Sequence, residues 1–282
     1  MGNKKRLIQK GLIELFPKQI NTFYDLFGGS GVVSLNVNAA KYMLNELDEY
    51  IYNLYITLKK FKPDEIVNHI VKRIDEHNLP KKSTNSSTTS QEEREYYKEN
   101  YMKFRKQYNE NKNPLDLFVL MNYCLSQTMR FNQKGDFNMP FGNNRFIEEK
   151  HTQYYIDFHE LLNKDNIIIH NKSFYDFEIE NYKQNDFIYL DPPYIGTTAT
   201  YNENGKWDES QQDNLFSYCE ELSKRKIKFA LSNAFENKGI KNGNLINWCK
   251  DNNFNVFTFD KFSYHANGKG AANTDEVLIT NY

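Results

Sequence analysis

Between Thr22 and Glu46 the chain carries, in order, an aromatic strand-like run, a glycine-rich turn, a helical stretch, a second apolar run and an acid. That order is the unit from which parallel sheets are built. Thr22 to Phe27 ends in Gly28-Gly29-Ser30-Gly31, Val32 to Tyr42 can resume as helix, and Tyr42 to Leu44 ends at Asn45-Glu46. A helix is expected next, from Asp48 to Phe61, and an earlier one from Lys10 to Phe16, stopped by Pro17. Strand-like runs return late in the chain at Asn166 to His170, Phe187 to Leu190, Ile227 to Ser232, Asn255 to Phe259 and Glu276 to Thr280, with a helical pattern from Ser210 to Lys224.

The middle of the chain is different. Long charged helical patterns begin near Thr57 and are interrupted by the Ser/Thr tract from Ser83 to Ser90, an expected surface loop in which Ser90 is placed to cap the next helix, Gln91 to Asn111. An apolar helix is expected from Leu115 to Met129, and the stretch Arg130 to Asn143 then mixes turn residues with basic and amide groups. The simplest account is one α/β domain made from both ends of the chain, 1–56 and 165–282, interrupted by a mostly helical insert at 57–164.

Composition bounds this further. The 282 residues suffice for one large domain or one domain with an insertion, and the 21 Phe and 20 Tyr exclude general disorder and should mostly be core. No apolar run is long enough to span a membrane and no signal-peptide core follows the N-terminus, so a soluble, cytoplasmic protein is expected. Cys124, Cys219 and Cys249 are odd in number and widely spaced, which supports neither a disulfide framework nor a zinc site; they should be reduced and buried. The formal charge of −1 argues against a nucleic-acid partner only if the chain is treated as uniform. Residues 57–150 hold 17 Lys plus Arg against 13 Asp plus Glu, a surplus of four, and the rest of the chain has a deficit of five. The insert is the basic part.

The sharpest chemical signal is Asp191-Pro192-Pro193-Tyr194, directly after Phe187-Ile188-Tyr189-Leu190. Two prolines at a strand end remove two backbone donors and stiffen the turn, leaving carbonyl oxygens free to accept. An exocyclic amine on an aromatic ring is a poor nucleophile because its lone pair is delocalised. A carboxylate at Asp191 and the Pro192 carbonyl could each accept one of its N–H bonds and draw the nitrogen towards tetrahedral geometry while Tyr194 stacks on the ring. The competing reading is a strand that merely ends in a rigid turn. The Gly28 to Gly31 turn allows close backbone approach by a ligand, and Glu46, 18 positions after Gly28, suits a ribose diol, although the pattern lacks the three spaced glycines of a dinucleotide site. An adenosyl cofactor with an electrophilic methyl would serve both places, which points to methyl transfer to a base amine.

With these residues in place, the sequence resembles the Dam-like (D12 class) DNA adenine-N6 methyltransferases along nearly its whole length. The matching pieces are Gly2-Asn3-Lys4, Phe27-Gly28-Gly29-Ser30-Gly31, Arg130-Phe131-Asn132 running on to Gly135-Asp136-Phe137-Asn138-Met139-Pro140-Phe141-Gly142, Asp191 to Tyr194, and Leu231-Ser232-Asn233. The resemblance implies a Rossmann-like S-adenosylmethionine-dependent methyltransferase domain with an inserted helical target-recognition domain. It also implies cofactor contacts from Lys4, Phe27 to Gly31, Glu46 and Asp191, and adenine contacts from Asp176 and Phe177, the latter equally well read as a core aromatic. The family's aromatic residue four positions before the motif lysine would fall before Met1, so either the pocket does without it or the natural start lies upstream. GATC-reading members carry a Tyr-Asn-Gly-Leu-Cys-Arg type sequence. Here Leu125-Ser126-Gln127-Thr128-Met129-Arg130 keeps only the arginine, which could still read a guanine in GATC.

The expected reaction is transfer of a methyl group to adenine N6 in duplex DNA after base flipping, with no metal and no covalent enzyme intermediate. Asp191, Pro192, Pro193 and Tyr194 form the catalytic turn. Arg130 is expected at a DNA groove, and Asn132, Lys134, Asn138 and Asn143 either contact phosphates or bases or are solvated turn residues. His265 to Gly270 is either a loop beside the DNA or an exposed hairpin. Two other readings stay open, an amine methyltransferase acting on RNA or protein and a catalytically silent DNA-binding regulator. A monomer is expected.

Overall fold

The apolar runs become a mixed sheet whose strands differ in burial according to their place in it. The structure is a computed structural model that describes residues 4–84, 87, 89–194, 207–237, 239–259, 262–263 and 273–282. Its strands are β1 (Thr22–Asp25), β2 (Lys41–Asn45), β3 (Ile167–His170), β4 (Phe187–Leu190), β5 (Lys228–Asn237), β6 (Ile240–Lys241), β7 (Asn255–Thr258), β8 (Phe262–Ser263) and β9 (Asn273–Thr280). They are ordered β3-β2-β1-β4-β5-β9-β7, with β6 on β5 and β8 on β9. The first five are mutually parallel, and β9 runs antiparallel to β5 and β7. All four side chains of β4 are buried because neighbours flank it and both its faces are covered, whereas all four of the outer strand β7 are exposed.

Among the helices, α1 is Lys5–Gln9, α2 Val32–Asn36, α3 Glu49–Lys60, α4 Pro63–Glu76, α5 Gln91–Asn111, α6 Pro114–Tyr123, α7 Glu148–Leu162, α8 Glu209–Lys224 and α9 Gly243–Asp251. Three differ from the sequence expectations, each for a local reason. The helix expected from Lys10 to Phe16 is instead α1 followed by a 3-10 turn at Ile13–Leu15, because Gly11 takes φ +90° between them. The stretch from Val32 to Tyr42 is helical only to Asn36. The Tyr42 hydroxyl donates to the Val37 carbonyl (3.0 Å) and accepts from the Ala39 N–H (3.1 Å), which holds 37–39 out of the helix. Helix α6 stops at Tyr123, six residues short of Met129. The Gly142 N–H takes the Tyr123 carbonyl (2.8 Å), the Leu125 N–H turns to Pro140 (2.9 Å), and Ser126 and Gln127 adopt left-handed φ of 59° and 48°. Strand β5 also runs five residues beyond Ser232, paired with β9.

The chain divides into two compact units, Asn53–Asp165 and Gly2–Tyr52 with Asn166–Tyr282. The first is helical. Ile66, Ile70 and Ile74 of α4 are buried at a spacing of four, with Tyr101 and Phe104 of α5, Leu117 to Leu120 of α6 and Phe158 of α7. Ser90 caps α5, its hydroxyl accepting from the Glu93 N–H at 3.1 Å. Asp116 is buried and held by His69 (2.7 Å) and Arg73 (3.0 Å). The second unit carries the sheet, and much of the aromatic surplus lies in it. Phe16 meets Phe187 at 4.8 Å between ring centroids, Phe23 meets Tyr189 at 6.3 Å, and Phe216 stacks on Trp248 at 4.3 Å. All three cysteines are buried and unbridged. No described helix is long and apolar enough to cross a membrane.

Candidate active site and recognition segment

Within the sheet unit, β2 lies on one side of β1 and β4 on the other, and the chain reaches β4 only after β3. The sheet order therefore switches direction between β1 and β4, and ligands of open α/β sheets bind outside the carboxyl ends of the strands at such a switch. Asp25 and Tyr189 pair across these two strands, so the Gly28 to Gly31 turn and the Asp191 to Tyr194 turn emerge side by side.

The glycine turn is tied to the end of β2. The Gly28 N–H donates to the Asn45 carbonyl (2.8 Å) and the Gly31 N–H to Gly28 (2.7 Å). Gly29 and Gly31 take φ of 53° and 68°, which favour glycine, and Gly31 opens α2. Glu46 is buried at the end of β2, accepting from the Gly29 N–H (2.7 Å) and the Asp48 N–H (2.9 Å). Burial pushes its carboxyl up to about 7 against those hydrogen bonds. Asp25, under the same turn, is pushed up to about 7 by burial, with Ser34 Oγ donating to it at 2.7 Å. Phe27 packs on Phe174 and Trp207. Asp176 is exposed and its carboxylate accepts from the Ser173 N–H (3.1 Å), capping a 3-10 turn. Phe177 is buried, with Lys172 Nζ 3.9 Å from its ring centroid.

The proline turn carries a buried ion cluster. Lys4 Nζ lies 2.9 Å from Asp191 Oδ1, donates to the Tyr194 hydroxyl at 2.5 Å, and is 4.0 Å from Glu276 Oε1. The Tyr194 hydroxyl donates to Glu276 (3.4 Å) and is 3.5 Å from Ser232 Oγ. Burial raises the Asp191 carboxyl and Lys4 opposes that rise. Burial likewise works to lower Lys4, but Asp191, Tyr194 and Glu276 outweigh it and hold the ammonium well above its ordinary value. Lys4 and Asp191, 187 positions apart, thus act as one charged unit.

In the helical unit, 124–143 fold back as an irregular ribbon with bridges at Cys124–Phe141 and Phe131–Phe137. The Asn132 side chain shapes its tip, accepting from the Lys134 and Asp136 N–H groups (both 2.9 Å). Arg130 Nε donates to Asn138 Oδ1 (2.8 Å), Lys134 is exposed, and Asn143 Oδ1 accepts from Arg94 (3.4 Å). Helix α5 holds the ribbon. Tyr101 and Arg105 donate to the Met139 carbonyl (3.0 and 2.8 Å), Asn109 exchanges two bonds with Phe137, and Lys112, just past the helix end, donates to the Gly135 carbonyl (2.7 Å).

Residues 1–272 match the family described as D12 class N6 adenine-specific DNA methyltransferase. The chain belongs to that family. It is 35% identical over 291 aligned positions to the modification methylase StsI of Streptococcus sanguinis and 32% identical over 287 to the type II methyltransferase M.FokI of Planomicrobium okeanokoites. Each alignment covers all of this chain and 42% of the relative, so the chain spans less than half the length of these proteins. The DNA adenine methylase of Escherichia coli K12 is 27% identical over 215 positions, covering 73% of this chain and 69% of that enzyme.

Sequence reasoning about this D12 chain missed several residues that the structure brings to the site. Glu276 reads as one acid beside an apolar strand run, and only the β5–β9 pairing carries it to Lys4. Asn45 is buried, donates to the Leu26 and Lys172 carbonyls (both 3.0 Å) and accepts from the Lys172 N–H (3.2 Å), which locks the ends of β1, β2 and β3 together. An amide directly before the acid at a strand end was its only signal. The α5 residues had a clearer one, since 101, 105 and 109 recur at helical spacing on one face. His265 to Gly270 lie outside the described residues.

Proposed function

We propose that the chain methylates N6 of adenine in duplex DNA, with S-adenosylmethionine as methyl donor. The observation that carries this reading is the adjacency of the glycine turn and the Asp191 turn at the sheet's switch point, with Lys4 fixing the Asp191 carboxylate. The residues suit an adenosyl cofactor. A Cβ built on Gly29 would meet nothing nearer than 3.8 Å, Gly28 to Gly31 offer close backbone approach, and the Glu46 carboxylate stands at the end of the adjoining strand for the ribose. Bound there, S-adenosylmethionine supplies an electrophilic methyl.

Every other part falls to the protein. Asp191, kept an acceptor by Lys4, and the Pro192 carbonyl take the N6 hydrogens and orient the nitrogen lone pair, while Pro193 stiffens the turn. Tyr194, its hydroxyl held at one end, offers a ring of fixed plane for the flipped base. Phe27, Asp176 and Phe177 belong to the cofactor's adenine side. The helical unit is the target-recognition domain, in which Arg130, Lys134 and Asn143 face DNA while Asn132 and Asn138 shape and brace the ribbon that presents them.

The test is expression in a host that lacks adenine methylation, followed by sequencing for N6-methyladenine. Marks at a consistent motif are expected, and that motif, GATC or another, gives the target; no mark above background refutes the proposal. Asp191→Ala should remove methylation from a protein that remains folded. Near-normal turnover in that variant would refute the role given to Asp191.

A further inference from the structure

On the returning strand of the ribbon at 124–143, the even-numbered residues turn main-chain groups inward. The Asn138 N–H donates to the Arg130 carbonyl (3.1 Å), the Asp136 carbonyl accepts from the Asn132 N–H (2.9 Å), and the Pro140 carbonyl accepts from the Leu125 N–H (2.9 Å). The main-chain groups of 135, 137 and 139 therefore face the other way, along an outer edge. A short two-stranded ribbon with an open edge holds its register weakly.

Helix α5 covers that edge with side chains. The Asn109 amide donates to the Phe137 carbonyl (3.1 Å) and accepts the Phe137 N–H (2.8 Å), the same two-bond exchange that a residue of a neighbouring strand would make. Arg105 donates to the Met139 carbonyl at 2.8 Å. The spacings agree, since four residues of helix rise about 6 Å and two residues of strand about 6.6–6.8 Å. Residues 105 and 109 thus meet 139 and 137 in turn as helix and strand run in opposite directions. A slip of one residue would bring the inward-turned groups of 136 or 138 to Asn109, and both of its bonds would be lost.

Register also decides which side chains the ribbon presents. Arg130 and Asn138 stand opposite each other across it, and Arg130 Nε donates to Asn138 Oδ1 at 2.8 Å. A shift of one residue would carry Asn138 to the other face and take that brace from the guanidinium. We infer that Asn109 is a positioning residue for target specificity, which grips the main chain of Phe137, fixes the register of the ribbon and so sets the aim of Arg130. The inference rests on the reading of this ribbon as the DNA-recognition segment. A role in stability alone would slow methylation of every sequence alike and leave the preference among them unmoved.

Methylation by the full chain of short duplexes that carry the target motif, or the motif with each base pair changed in turn, measures that preference. Asn109→Leu, close in volume but without either bond, should lower the preference over at least one changed duplex roughly tenfold, the scale of one good base contact. Its affinity for S-adenosylmethionine, read by calorimetric titration, should not change. Equal slowing on all duplexes, or a preference kept in full, overturns the inference. Amide exchange of the wild-type protein decides the matter if that variant does not fold. The Phe137 N–H should exchange as slowly as the Asn138 N–H, and exchange as fast as in an open loop overturns the grip. Wild-type protein that methylates DNA without preferring any motif, or does not methylate it, overturns the recognition reading itself.

Discussion

Glu46→Gln should change how stability depends on pH. The Glu46 carboxyl, ordinarily near 4.5, sits at about 7 because burial outweighs the hydrogen bonds from the Asp48 and Gly29 backbone. The folded chain therefore holds this proton more tightly than the unfolded chain does. Between about pH 4.5 and about pH 7 the native state carries the extra proton, so stability falls as pH rises through that window and levels off above it. The difference between the two values amounts to about 3 kcal/mol, most of it lost between about pH 4.5 and about pH 7. Glutamine has no such proton. It also places an amide N–H₂ where the carboxylate accepts two N–H groups, a loss of about 1–3 kcal/mol that is present at every pH. Urea unfolding of both proteins across this range should show the variant gaining on the wild type by about 2–3 kcal/mol as pH rises. Asp25, also near 7, is common to both proteins and largely cancels in the difference. A wild-type minus variant difference that stays flat with pH would refute the reasoning.

Gly142→Ala should disable the ribbon at 124–143, proposed above as the DNA-recognition segment, without touching the sheet unit. A Cβ there would lie 2.7 Å from the Cys124 carbonyl oxygen and 2.9 Å from Leu125 Cα, both backbone atoms that cannot swing aside. A cost of about 1–3 kcal/mol and weaker DNA binding in a gel-shift titration are expected, with S-adenosylmethionine affinity unchanged. Burial raises all three thiols, Cys124 to about 11 and Cys249 to about 12, so the native chain should resist a thiol reagent near pH 8 and all three should react at once in denaturant. Fast labelling of the native protein would count against the burial described.

The parallel half of the sheet was legible because its strands are apolar runs punctuated by glycine, proline or an acid. Phe187–Leu190 matches the expected strand at both ends, and Gln91–Asn111 matches the expected helix, since Ser90 marks its start. Where tertiary partners decide, the sequence misleads. The apolar pattern after Leu115 favours continued helix, but the chain leaves it for bonds to Pro140 and Gly142, residues that local periodicity cannot see. No specific helix was expected where α9 lies, and α7 was covered only by the general expectation of a helical insert. The candidate site divides in the same way. Asp191 and the glycine turn announce themselves by composition, whereas Lys4 meeting Glu276 depends on where β9 lies.

That position of β9 sets an order of assembly. The strand comes after β7 in the chain yet lies between β5 and β7, so β7 has no β5 edge to join and waits for β9 to bridge them. A ribosome delivers β1 to β5 and the whole helical unit first, and the seam closes only when Asn273–Thr280 emerges. Glu276 travels on that strand. A nascent chain thus holds the glycine turn, the proline turn and the ribbon at 124–143 before it holds its full complement of site charges, and the sheet and the site are completed by the same event.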